Sequence, residues 1–247
     1  FRLRLMDEVA GFKLHGNAQI WIGAKGHYPF GSEVLAGVHR QRRSCRFSTC
    51  GRCDGHRLAY ASATLDVEVP RQEVILPRKT VLEMLRLLSD KEGAIDMQFA
   101  NNQAKFVFDG MEFVTKLVEG KFPDYNRVIP KNHKNSITLG RTSLLATLQR
   151  TAILTSDKFK GVRLNIDPGS LRVSSNNAEQ EEATDELDID YSGDSIEIGF
   201  NVTYLIDVLT NMEQDMVKLE LSDANSSALF TIPDNTQFKY VVMPMRI

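Results

Sequence analysis

Two groupings in this chain have residue types suited to chemistry. Cys45, Cys50 and Cys53 are separated by four and two residues, with His39 and His56 near them. Thiolate and imidazole ligands of zinc or of an iron–sulfur cluster can take such a spacing. A second Cys pair is lacking, so the trio reads as non-metal and no cofactor is expected. The stretch from Asn177 to Glu197 holds nine Asp/Glu and no Lys/Arg. It lacks the alternate oxygen ligands and central glycine of a calcium loop, and reads as a solvated acidic loop and edge strand. His56 follows Asp54 and Gly55, but no Ser or Cys nucleophile sits in a strand-to-helix elbow. There is no Gly-x4-Gly-Lys-Ser/Thr phosphate loop, and no carboxylate set can be nominated for a two-metal site. No catalytic residue is assigned, and the chain is not expected to be an enzyme.

Binding chemistry is better represented. Four segments set aromatic, glycine and proline residues around fixed polar groups: Asp54-Gly-His-Arg-Leu58, Gly120-Lys-Phe-Pro-Asp-Tyr125, Gly199-Phe-Asn-Val-Thr-Tyr204 and Tyr240-Val-Val-Met-Pro-Met-Arg-Ile247. The last differs from the polar, frayed end of an ordinary domain. Val241 and Val242 read as strand, and Pro244 stops its ladder. Met243 and Met245 are unbranched and polarizable, suited to a surface that accepts several apolar partners.

These segments need a scaffold. A chain of 247 residues can build one large or two ordinary domains with real cores. Its 42% apolar and 25% charged residues describe a soluble globular protein. No apolar run approaches the ~18 residues of a membrane span. No signal peptide is visible, and with Phe1 in place of Met the true start is expected to be missing. The net charge of −2 hides an asymmetry, because residues 1–60 hold ten Lys/Arg against four Asp/Glu. A basic face toward DNA is compatible with that sum.

The scaffold repeats. Ile95-Asp-Met-Gln-Phe99 and Val217-Lys-Leu-Glu-Leu221 lie 122 positions apart, both alternate apolar with polar, and the turn signals Asn101-Asn102 and Asn225-Ser226 follow them. Upstream, Pro77 opens a helix carrying Val81, Leu82, Leu85 and Leu88. Asn201 N-caps another, carrying Val202, Leu205, Ile206, Leu209 and Met212. Short strands, Val74–Leu76 and Ile196–Ile198, precede both. A third copy begins with Ile137–Leu139 and a helix capped by Thr142 or Ser143, carrying Leu144, Leu145, Leu148 and Ala152. Strands at Val162–Ile166, Leu171–Val173 and Leu187–Tyr191 complete it. The fold class is α+β, built of β-α-β-β(-β) modules recurring every ~61 residues, two per domain, with helices on one side of antiparallel sheets. Domains 1–130 and 131–247 follow, joined through the polar connector Pro130–Asn135.

The four segments together resemble the bacterial DNA polymerase III beta subunit family, the sliding clamps, almost without gaps from Asp54 to Ile247. The resemblance implies a DNA-clamp fold, with helices lining a central hole and sheets outside. It implies a cytoplasmic, non-enzymatic processivity factor of the replicative polymerase. It further implies a site for Gln-Leu-x-Leu-Phe-like peptides of the polymerase catalytic subunit, the clamp loader and repair proteins. Gly55, His56, Arg57 and Leu58 would form one wall, with Pro123, Arg127 and Val128 from the Phe-Pro-Asp-Tyr turn. Phe159, Asn201 and Tyr204 would join the strand and tail residues Val241, Val242, Met243, Pro244, Met245 and Arg246. Burying the peptide's Leu and Phe would supply about 3–6 kcal/mol before ordering costs, suited to an exchangeable contact. Sequence-independent contact with double-stranded DNA phosphates would fall to Arg78, Lys79, Arg150 and Lys160. Ile153 and Leu154 would meet the first domain of a neighbour in a head-to-tail homodimer. By this resemblance the given sequence is expected to begin near the start of the second clamp domain, without the first.

Residues 13–53 depart from the pattern. They have no clean period and hold the single Trp21 and all three cysteines. Cys53 stands where clamps usually have Thr. Codons for Cys50–Asp54 read one nucleotide later encode Ala or Val at the first and fourth positions and Thr or Met at the fifth. This stretch is therefore expected to be translated out of frame, or to come from a damaged or misassembled gene, and to form no strands, whereas Leu3–Val9 keeps the look of a first-module helix. The second reading that follows is a truncated or frameshifted fragment, able to bind partner peptides but not to encircle DNA.

Overall fold

A computed structural model describes residues 2–4, 34–38, 47–53, 55–64, 72–88, 94–120, 125–131, 133–155, 160–212 and 214–247. They belong to two compact units, Phe1–Tyr125 and Asn126–Ile247. The division falls a few residues before the connector Pro130–Asn135, beside a one-turn helix. Among the described residues, no helix is long and apolar enough to cross a membrane.

The first unit contains strands β1 (Arg2–Arg4), β2 (Val34–Val38), β3 (Phe47–Cys53), β4 (Arg57–Thr64) and β5 (Gln72–Leu76). Helix α1 (Arg78–Leu88) and strands β6 (Ala94–Ala100), β7 (Gln103–Phe108) and β8 (Met111–Lys116) follow. One antiparallel sheet has the order β1-β6-β7-β8; in the other, β5 pairs with β2, β2 with β3, and β3 with β4. Fully buried Phe106 on β7 stands between Phe99 and Phe113, with ring centroids 6.4 Å from each. Pro77 immediately precedes α1, which buries Met84 and Leu88. The buried hydroxyl of Thr80 lies 2.6 Å from that of Thr115 on β8, fastening helix to sheet.

Two expectations are corrected in this unit. Arg2–Arg4 is strand rather than helix, because its backbone finds a ladder partner, with Leu3 opposite Ile95. Residues 5–9 lie outside the described residues. Strands also form within 13–53, since β2 and β3 satisfy their backbone groups against β5 and β4; Leu35 faces Ile75, and Cys53 faces Leu58. Cys50 and Cys53 belong to β3, whereas Cys45, His39 and Trp21 lie outside the described residues.

The second unit continues from α2 (Tyr125–Val128), which straddles the division, to β9 (Asn135–Gly140) and α3 (Arg141–Ala152). Strands β10 (Gly161–Asp167), β11 (Ser170–Asn176), β12 (Glu182–Asp188) and β13 (Ile196–Asn201) lead to α4 (Val202–Thr210). Strands β14 (Met216–Leu221), β15 (Ala228–Ile232) and β16 (Asn235–Val242) complete it. One sheet is ordered β12-β11-β10-β13; β16, β15, β14 and β9 pair in turn to make the other. Period-two patterning sets which faces go inward. Val162, Leu164 and Ile166 of β10, Ile196, Ile198 and Phe200 of β13, and Val217, Leu219 and Leu221 of β14 are all buried. Helices α3 and α4 pack together, burying Leu144 and Leu148 from one and Leu205, Val208 and Leu209 from the other. Each such side chain stabilises the fold by roughly 1.5–3 kcal/mol.

Polar fasteners tie these layers. Arg141 donates from Nε to Gln214 O at 2.9 Å and from Nη1 to Leu209 O at 3.0 Å, placing a cation against the carbonyl end of α4. The Tyr191 hydroxyl lies 2.8 Å from Asn135 Oδ1 and 2.6 Å from Asp194 O. The hydroxyl of Ser175 donates to Thr151 O at 2.6 Å, joining β11 to α3.

The cap of α3 differs from the expected Thr142 or Ser143. Gly140 takes the N-cap position without a side-chain hydrogen bond, because the chain passes directly from β9 into the helix. The strand expected at Leu187–Tyr191 lies earlier, at Glu182–Asp188, where it pairs with β11. Ile189 and Tyr191 are buried beyond its end, exchanging backbone bonds of 3.0 and 2.9 Å with Gly169.

Asp207, half-buried on α4, has its carboxyl pushed up to about 7 by desolvation, from an ordinary 3.8. The folded state retains a proton that the unfolded chain releases, so stability falls as pH rises through that interval and is constant above it. Asp207→Asn should raise the melting temperature, with little gain at pH 4, more at pH 6 and the full gain at pH 8. A gain independent of pH in thermal melts would contradict this.

Candidate functional site

The most constructed surface in the second unit lies where the C-terminal tail leaves β16. Val241 and Val242 are completely buried, so they support the site as core rather than line it. The strand stops at Val242, before Pro244, as the missing proline N–H requires. Met243 is 40% exposed and Ile247 52% exposed; Pro244 and Met245 are half-buried, and Arg246 is exposed. The tail is held back onto the sheet by the N–H of Met245, which donates to the carbonyl of Gly199 at 2.8 Å.

Its seat is bare backbone. Gly199 on β13 and Gly161 on β10 share the outward face of the sheet, because their buried neighbours Ile198, Phe200 and Val162 point the other way. A Cβ added to Gly199 would lie 2.4 Å from the carbonyl oxygen of Met245 and 2.8 Å from the Ile247 side chain. One added to Gly161 would lie 2.9 Å from Met245 Cε. Neither glycine was nominated from the sequence. The available signal was a glycine inside an otherwise apolar-alternating strand, which marks close approach by another segment.

Directly after this seat, Asn201 begins α4. Its Oδ1 accepts the Thr203 N–H at 2.9 Å, as the sequence pattern predicts for an N-cap. The next orphan donor, the Val202 N–H, reaches Lys160 O at 2.8 Å. Lys160 adopts a left-handed φ of 47° there, and its side chain is exposed. Tyr204 follows on the first turns of α4, half-buried. Asn201, Tyr204, Lys160 and the tail therefore lie at one end of the β10–β13 pair. Phe159 lies outside the described residues.

The other nominated residues are placed as follows. In the first unit, Gly55 has a φ of 85°, which turns the chain into β4; His56 is exposed, whereas Arg57 and Leu58 are buried. Arg127 is exposed and Val128 half-buried on α2, while Pro123 lies outside the described residues. Lys79 is exposed on the first turn of α1, which Arg78 begins. Arg150 is engaged rather than extended. Its Nε and Nη2 donate to Asp185 Oδ2 on β12 at 2.8 and 2.5 Å, and Nη2 reaches Thr147 Oγ1 at 3.1 Å. Those Arg150 hydrogen bonds hold the Asp185 carboxyl below its usual range. Ile153, the C-cap of α3, is 77% exposed, and Leu154 is half-buried. Along the acidic stretch, Asn177 Oδ1 accepts the N–H groups of Glu179 and Glu181 at 3.0 Å, and β12 is an edge strand. Among the described residues, no group of three or more His, Cys, Asp or Glu is arranged to hold a metal.

The arrangement is suited to binding: an apolar, flexible rim beside a capped helix start, with polar groups at its margin. Asn201→Ala should cost ~1 kcal/mol of stability by exposing an orphan N–H, whereas Asn201→Asp should preserve most of it. Chemical denaturation of the three chains checks the ranking, and equal stability of the alanine variant would contradict the cap.

Comparison with known proteins follows the same division. A family model described as DNA polymerase III beta subunit, C-terminal domain, matches residues 126–246, and one described as its central domain matches residues 32–124. The beta sliding clamp of Pseudomonas putida is 47% identical over 195 residues, covering 78% of this chain and 53% of the relative. That of Pseudomonas aeruginosa is 44% identical over 197 residues, again covering 78% and 53%. The chain thus spans about half the length of the curated relatives it matches. The crystal structure of a DnaN sliding clamp from Pseudomonas aeruginosa bound to griselimycin is similar, with a TM-score of 0.82 and 40% identity. It covers 87% of this chain and 57% of that one.

Proposed function

The chain belongs to the DNA polymerase III beta subunit family, and on that footing we propose that it serves as a sliding-clamp processivity factor. Its work is holding rather than chemistry: sequence-independent retention on double-stranded DNA, and capture of short peptides from the polymerase, the clamp loader and repair proteins. The observation that carries the peptide reading is the seated tail. Met243, Pro244 and Met245 are held beside the capped start of α4 by a backbone bond to Gly199, so the apolar rim is formed before any ligand arrives. Such preorganisation reduces the ordering cost that limits small contacts. Val241 and Val242 act beneath the rim as core. In the second unit, Arg127, Asn201, Tyr204 and Arg246 are the polar or aromatic groups that would orient a peptide, and His56 is the proposed contribution of the first.

On the DNA side, Lys79 and Lys160 are exposed cations suited to phosphate contact. Arg150 is a weaker candidate than its sequence position indicates, because Asp185 already neutralises it. The family's cytoplasmic setting and homodimeric ring are part of the same proposal, with Ile153 and Leu154 as the subunit contact.

Removing Met243–Ile247 should weaken binding of a fluorescent Gln-Leu-x-Leu-Phe peptide at least ~10-fold, the effect of losing about 1.4 kcal/mol. An unchanged titration would count against the site. Replacing Ile153 and Leu154 with Ser should leave that affinity unchanged while reducing self-association in sedimentation. Loss of peptide binding without any change in association would reverse the roles given to the two surfaces.

A further inference from the structure

Resting on the peptide-site reading, we infer that Gly199 is a positioning residue for partner peptides: its bare backbone fixes the register of the tail that forms the rim. Three observations converge on it. The carbonyl of Gly199 is the acceptor for Met245 N–H at 2.8 Å. The space a side chain would occupy is taken by Met245 O at 2.4 Å and by the Ile247 side chain at 2.8 Å. Gly161, which is paired across the ladder with Asn201 while Gly199 faces Arg163, clears the adjoining ground on the same face.

The two glycines are not equivalent. At Gly161 a methyl would meet Met245 Cε at 2.9 Å and Ile247 Cδ1 at 3.2 Å, the tips of flexible side chains that can rotate away. At Gly199 it would meet backbone, and no rotamer relieves that. The tail would have to rise from β13, which breaks the Met245 hydrogen bond and moves Met243 and Pro244 with it. Within a strand, replacing Gly by Ala is otherwise neutral or favourable, because glycine loses more backbone freedom on folding. Any cost of Gly199→Ala therefore reports on the tail. Gly199 touches no peptide in this scheme; it acts through Met245.

The test uses the full chain, Gly199→Ala, Gly161→Ala, and a chain ending at Val242 with and without Gly199→Ala. Three quantities are measured: affinity for the Gln-Leu-x-Leu-Phe peptide, release of C-terminal residues by carboxypeptidase, and melting temperature. Gly199→Ala should weaken the peptide about 10-fold or more, as a backbone clash of overpacking size would, and should speed release of Ile247. Gly161→Ala should change affinity less than about 3-fold, because side-chain tips adjust. In the chain ending at Val242, Gly199→Ala should not lower the melting temperature. Unchanged peptide affinity and unchanged residue release in Gly199→Ala would overturn the inference. So would an equal loss of stability with and without the tail, which would place the cost in β13 itself. If the unsubstituted chain fails to bind the peptide, the proposed function fails, while residue release and the thermal comparison still decide whether Gly199 seats the tail.

Discussion

Helix α4 carries backbone groups at both ends that its own turns cannot satisfy, and the second unit is arranged around satisfying them. At the start, Asn201 Oδ1 takes the Thr203 N–H and Lys160 O takes the Val202 N–H. At the finish, the guanidinium of Arg141 takes Leu209 O, and Asn211 returns both its N–H and its side-chain amide to Asp207 O. A helix of nine residues has little stability of its own. Fixing both ends makes it a rigid reference, and the segments that meet it inherit its position. The seat of the tail is the strand that runs into its first turn. The left-handed Lys160 is the local cost of aiming a carbonyl at that turn.

Charge is distributed by the same economy of position. The outward row of β12, with Glu182, Glu186 and Asp188, faces solvent, while Asp185 on the inward row is paired with Arg150 from α3. Arg150, expected from the sequence to meet phosphate, also ties α3 to the sheet edge through Asp185. Exposed ion pairs add little to stability. This one restrains where Arg150 points.

Much of the architecture was legible because burial enforces period. The alternation in Val162–Ile166, Ile196–Ile198 and Val217–Leu221 could only be strands with one face inward. Asn201 before Val202, Leu205 and Leu209 could be read as a cap because the apolar stripe begins immediately after it. The readings that failed lacked such a constraint. Thr142 and Ser143 have the right chemistry to cap α3, but the direct passage from β9 assigns the position to Gly140. Leu187–Tyr191 alternates well, yet the register with β11 selects Glu182–Asp188, and Ile189 and Tyr191 are buried by a turn instead. Arg2–Arg4 and the strands of 34–53 are held by ladder partners distant in sequence, which local pattern does not reveal. The candidate site was legible in its segments but not in its mechanics. Val241 and Leu58, named for the peptide site, are buried, while Gly161 was not named and Gly199 was named only as part of its segment, because the contribution of each is the absence of a side chain.

Two of the sheet edges among the described residues, β12 in the second unit and β8 in the first, differ in what they would do in a concentrated solution. β12 presents a column of carboxylates, so two copies approaching along it repel each other, and one inward-facing charge further spoils it as a template. β8, at the edge of the β1-β6-β7-β8 sheet, shows Met111 and the 56% exposed Val114. Added salt screens the first edge and leaves the second unaffected. The β12 edge is thus guarded by a long-range repulsion that buffer composition can remove, whereas β8 carries one charge of each sign, Glu112 and Lys116, and gains no net repulsion from them. Raising the ionic strength therefore lets copies of this molecule approach one another along β12 at lower concentration.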